Sequence, residues 1–186
     1  MNDNTRQMKK IYFHGTIATA IPVLIFIIAF LTSSILILDY VHVLLGALWT
    51  GIDIFLGLIF SSVIRTISKQ TKVNIARGMI PMTLFFIPAV SIITPASGYV
   101  LAVRDGVFDP ATPLFTAIII LGIFLVGIGF TTIVPFSWKF ARELSTENPD
   151  ADVISRSMNI VSKGALVQLV FQIAIISLMA YLVVFQ

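Results

Sequence analysis

The chain has 186 residues, 58% of them hydrophobic and 11% charged, with a mean hydropathy of +1.00. Soluble domains carry about 25% charged residues, so a chain this apolar turns its largest surface to lipid: composition predicts an integral membrane protein and excludes a water-soluble globule. There is no cysteine, which excludes disulfides, thiolate metal sites, thiol catalysis and iron–sulfur clusters.

In chain order the apolar runs predict an all-α, single transmembrane bundle over residues 1–186, with five spans at about 11–31, 35–64, 79–103, 113–136 and 165–185. The basic start, MNDNTRQMKK, runs into an apolar stretch without an A-x-A-type cleavage site, so the first span is expected to be a retained helix. A very short link, Thr32-Ser33-Ser34, joins it to the second span.

Most of the second span lies in the stretch Asp39 to Arg65, which combines hydrocarbon with two acids and one of the chain's two histidines. Asp39, His42, Gly46, Trp49, Asp53 and Gly57 succeed one another by three or four residues, so they share one helical stripe. A charge at mid-membrane costs at least about 2.5–3.5 kcal/mol, so this stripe is expected to face protein. Its glycines leave room for another helix or a flat ligand to come close.

In the third span Pro81, Pro88 and Pro95 recur every seven residues and are expected to bend it. Ser91, Thr94 and Ser97 are available to serve the carbonyls that the prolines free. The outer loop, RDGVFDPATP, carries Gly106, Pro110 and Pro113 as turn residues. Pro135 acts near the inner end of the fourth span. In the link that follows, the fourth helix continues, Asn148-Pro149 breaks it, and Asp150 or Asp152 caps a new helix leading into the fifth span.

The Lys and Arg positions set the orientation. The N-terminal tail holds Arg6, Lys9 and Lys10; the second-to-third link holds Arg65, Lys69, Lys72 and Arg77; the fourth-to-fifth link holds Lys139, Arg142, Arg156 and Lys163; only Arg104 falls on the other side. This split predicts a cytoplasmic N-terminus and an outer C-terminus in the cell membrane. It also accounts for the net charge of +3 and the pI near 9.4 without a nucleic-acid partner.

Several side chains are candidates for chemistry. His42 lies roughly 7 Å inside the outer boundary, at 1.5 Å per residue. It can ligate a haem or metal or move a proton, or be an interfacial histidine bonded to Asp39 or to a backbone carbonyl. His14 sits near the opposite boundary, so one iron cannot take both histidines across a core about 30 Å thick. At His42's depth lie Met179 on the fifth span, a possible axial partner or a packing residue, and Thr94, Ser97 and Tyr99 on the third. Asp53, near mid-membrane with no Lys or Arg inside any span, is expected to keep its proton or to find partners such as hydroxyls, water, another subunit, or the amides Gln168 and Gln172. G-x-S-x-G, Walker and H-E-x-x-H motifs do not occur in the sequence.

The run His42-Val-Leu-Leu-Gly-Ala-Leu-Trp49-Thr-Gly51 is H-x6-W-x-G at the start of a span. It resembles the CopD/HemJ-like group of small membrane proteins, which includes copper-resistance proteins and haem-dependent protoporphyrinogen oxidases. The end of the third span, Thr94-Pro-Ala-Ser-Gly98-Tyr-Val-Leu-Ala102, is similar to that group's T-G-x-x-L-A ending, whereas Ile52 stands where the group often has a second glycine. The resemblance implies a helical bundle in which His42 ligates haem b or a copper ion, with Gly46 and Trp49 beside the ring, Asp39 orienting the imidazole and Met179 as a further ligand.

The expected function is therefore membrane electron transfer, as an oxidoreductase or a subunit of one. The alternatives are a cofactor-free accessory subunit that binds other membrane subunits or itself, and a small transporter using the intramembrane acid Asp53.

Overall fold

A computed structural model describes residues 3–32 and 34–185; Ser33, in the expected first link, lies outside the described residues. Among those residues the chain is all helix: α1 is Asp3–Leu31, α2 Ile35–Thr66, α3 Lys69–Arg104, α4 Pro113–Leu144 and α5 Ala151–Phe185. All five are long and apolar enough to cross a membrane.

Local chemistry sets four of the five helix starts. Ser34 accepts from the Ile37 N–H, Ser68 from Thr71 (3.2 Å) and Thr112 from Phe115, while Asp150 Oδ1 accepts from Asp152 (2.8 Å) and Val153. Each cap satisfies N–H groups that a helix start leaves without an intrahelical partner. Of the two caps expected after the break at Asn148-Pro149, Asp150 and Asp152, it is Asp150 that accepts these bonds.

The third helix begins well before the expected position 79. The stretch over 69–78 was expected to be a link, but it forms helix continuous with the span and buries Val73 and Ala76 in helical register with Met79 and Ile80. A hydropathy window passes over an amphipathic turn that carries Lys69, Lys72 and Arg77. Lys69 then pairs with Asp152 (2.9 Å) and joins the start of α3 to the start of α5. At the opposite end Arg104 Nη2 donates to the Phe30 carbonyl (2.8 Å), with its guanidinium 5.0 Å from the Phe30 ring. The basic residue that stood apart in the charge count thus closes the last turn of α1.

Helices α2, α3 and α4 each contain one π-helical stretch, at Phe55–Phe60, Pro81–Phe86 and Gly129–Ile133. Two have a clear cause. A proline ring clashes with the carbonyl four residues back, and for Pro88 and Pro135 those carbonyls belong to Leu84 and Thr131, inside the widened stretches. The span hydroxyls bond other carbonyls than expected: Ser91 donates to Pro88 (2.9 Å) and Ser97 to Thr94 (2.8 Å), not to the groups the prolines free.

Packing divides the interior into two apolar cores. One, at the basic end, gathers Leu56, Phe60, Ile80, Ile133, Phe140 and Met158 among others. The other, toward the opposite end, gathers Leu38, Leu45, Trp49, Val90, Ile93 and Leu125. Between them on α2, α4 and α5 lie Asp53, Gly129 and Gln168. The outward faces are apolar: Leu24 and Ile28 on α1, Leu58 and Ile59 on α2, and Val170 and Ile173 on α5 are all exposed.

Candidate functional site

The layer between the two cores is polar. Asp53 on α2 and Gln172 on α5 are both buried, and Gln172 Nε2 donates to Asp53 Oδ2 at 2.9 Å. One of the two amides named from the sequence, Gln172, is thus the partner of Asp53. One turn back along α5, Gln168 is fully buried and its Nε2 donates to the Leu125 carbonyl (2.7 Å), just before the widened stretch of α4.

Four buried atoms here make no hydrogen bond among the described residues: Asp53 Oδ1, Gln172 Oε1, Gln168 Oε1 and Trp49 Nε1. Each buried polar atom without a partner costs about 1–3 kcal/mol, so a cluster of them needs a physical reason. Three are acceptors, and two of those belong to the one pair already bonded. A carboxylic acid and a primary amide can close a ring of two hydrogen bonds: the amide N–H donates to one carboxyl oxygen, and the acid O–H donates to the amide oxygen. The Gln172–Asp53 bond is the first half of that ring. A proton on Asp53 Oδ1 would supply the second half and satisfy both acceptors.

The widened stretches of α2 and α4 adjoin this layer: the first begins two residues after Asp53, and Gly129 opens the second beside Gln168. Helix α5 passes very close to two of them. A Cβ on Gly57 would lie 2.9 Å from the Leu166 backbone, and one on Gly164 would lie 3.0 Å from Thr132. The Ser162 hydroxyl donates to the Leu56 carbonyl inside the α2 stretch. Such bulges accompany functional sites often, and interrupted helices near the membrane centre are a recurrent way of building intramembrane ion sites. The paired amides were visible in the sequence; the bulge in α2 and the Ser162 bond were not, because nothing in α2 before Arg65 breaks a helix.

The rest of the α2 stripe divides by depth. Trp49, Asp53 and Gly57 are buried, His42 and Gly46 are half-buried, and Asp39 is exposed. Toward its N-terminal end the buried face is instead Leu38, Val41 and Leu45. His42 Nδ1–H donates to the Thr94 carbonyl (2.9 Å), with the Ser97 hydroxyl at 3.3 Å. This is the backbone-carbonyl partner weighed in the sequence, and it displaces Asp39 as the group that orients Nδ1. The imidazole lies against Gly98, where a Cβ would come within 2.6 Å of the ring. A Cβ on Gly46 would stand 3.5 Å from the Thr94 methyl. Both glycines therefore lie in the contact between α2 and α3.

A haem or copper ion of the kind that the resemblance implies would have to be held through His42 Nε2, since Nδ1 is engaged by the Thr94 carbonyl. Among the described residues no group of three or more His, Asp or Glu side chains is placed to hold a metal ion. Met179 is half-buried on α5. His14 is exposed on α1 with its Nδ1 on the Lys10 carbonyl (2.7 Å).

Comparison of the chain with protein-family models, with characterised proteins and with solved structures finds no match.

Proposed function

We propose that this is a small transporter of the cell membrane, with its N-terminus cytoplasmic, in which Asp53 takes up and releases a proton at the level of the polar layer. The observation that carries this reading is the buried Asp53–Gln172 contact with one free acceptor on each partner. Protonated, the pair holds α2 to α5 by two hydrogen bonds. Deprotonated, it keeps one, and a charge at this depth must draw in water or a cation. Proton occupancy thereby changes how tightly α2 and α5 are joined beside the π-helical stretch of α2, where a helix yields most easily. The test is flux in proteoliposomes under an imposed pH gradient: wild type is expected to carry a pH-dependent flux that Asp53→Asn abolishes, and equal flux from both rules the reading out.

A second reading, a haem- or metal-binding electron-transfer protein, is favoured by one contact. The Nδ1–H bond to the Thr94 carbonyl fixes the tautomer and leaves Nε2 unprotonated, as in many ligating histidines. A Soret band in the purified protein that disappears in His42→Ala would carry that reading instead.

A further inference from the structure

At the basic end, α2 and α5 enclose a cleft of about 230 Å³ lined by Ser61, Arg65, Asn159, Ser162 and Lys163. Arg65 follows Ser61 by one turn, and Lys163 follows Asn159 by one turn, so each helix presents one cation and one neutral polar group to the same space. No acid lines it, and neither Arg65 nor Lys163 makes an ion pair among the described residues. Both serine hydroxyls already donate to carbonyls of α2, Ser61 to Leu58 (3.1 Å) and Ser162 to Leu56. The donors left for a ligand are a guanidinium, an ammonium and a primary amide, a set suited to phosphate oxygens.

Arg65 lies in the last turn of α2, just past its apolar run. Beside the cleft, toward the middle of the bundle, Leu58, Ile59, Leu166 and Val167 are exposed. A polar cleft with two cations therefore opens next to an apolar outer face, the arrangement that an anionic lipid needs for its headgroup and its chains.

We infer that this cleft binds a phosphate group, and that the group belongs to an anionic phospholipid whose chains lie along the exposed face of α2 and α5. The site is independent of Asp53 and of the transport reading.

The test uses the full chain in detergent, with bound lipid counted by native mass spectrometry after addition of phosphatidylglycerol or phosphatidylcholine. Wild type is expected to retain one phosphatidylglycerol in preference to phosphatidylcholine, and the preference should weaken with salt. Arg65→Gln combined with Lys163→Gln should reduce retention about 10- to 30-fold, the combined effect of two basic residues at a headgroup. The charge-keeping pair Arg65→Lys with Lys163→Arg should retain the lipid. So should Lys139→Gln with Arg142→Gln, which removes the same charge from α4. If millimolar inorganic phosphate displaces the lipid, the cleft is a phosphate site open to free anions as well; if it does not, the chains contribute and the lipid is the ligand. A wild type with no preference for phosphatidylglycerol overturns the inference, without recourse to any variant. Equal losses from the cleft pair and the α4 pair overturn it too, because they would report net charge alone.

Discussion

Asp53 is the residue on which the functional reading turns, and two substitutions separate its structural and chemical roles. Asp53→Asn preserves a ring of two hydrogen bonds with Gln172, since two primary amides pair as an acid and an amide do; its thermal midpoint in detergent should match wild type. Asp53→Leu leaves both ends of the Gln172 amide buried without a partner and should cost about 1–3 kcal/mol. Equal stability of Leu and wild type would mean that the pair does not hold α2 to α5. Glycines give a second contrast on the same helix. Gly57→Leu drives side-chain bulk into the Leu166 backbone and should destabilise by about 1–3 kcal/mol. Gly51→Leu, where a Cβ meets nothing within 4 Å, should be tolerated. A smaller loss at Gly57 than at Gly51, read by thermal unfolding, would put the α2–α5 contact elsewhere. His42 shows how far single residues were legible. Its depth beside Thr94 and Ser97 followed from counting along the spans, but the notch at Gly98 did not, because a glycine in a membrane helix does not announce which side chain will fill it.

The helices hold more than their hydropathy reveals. Each span's existence was readable from apolar length, and a cap at Asp150 or Asp152 from their place after a helix break. The amphipathic first turns of α3 were missed because their cations hid a buried face of Val73 and Ala76. The widened stretches of α3 and α4 have prolines as their visible cause, although the sequence indicated bending and not an added residue per turn. In α2 the widening has no proline as marker, and it is α5 that meets it, with Ser162 at Leu56 and Leu166 at Gly57. Ser162→Ala removes the hydrogen bond to the Leu56 carbonyl and should cost about 0.5–1.5 kcal/mol. Ser177→Ala, on an exposed hydroxyl that bonds only within its own helix, should cost far less. Indistinguishable unfolding midpoints for the two would show that α5 does not support the bulge.

At the scale of the whole molecule, two apolar cores separated by a polar layer describe a bundle built around a mid-depth acid, with basic residues gathered at one end. Single cysteines replacing Lys72 and Asp105 in this cysteine-free chain should label from opposite sides of the membrane; labelling from one side would remove the proposed topology. The layer itself was only partly legible: Asp53, Gln168 and Gln172 stood out as polar residues in apolar spans, but which of them meet depends on the rotation of α5, which sequence spacing does not fix. The most direct measurement is infrared difference spectroscopy of the protein in liposomes across a pH titration, comparing wild type with Asp53→Asn. The account predicts a protonated carboxylic C=O band, shifted by hydrogen bonding to an amide, that fades as the pH rises and is missing in Asp53→Asn. A wild-type spectrum with no such band at any pH, or one that Asp53→Asn leaves unchanged, would contradict it.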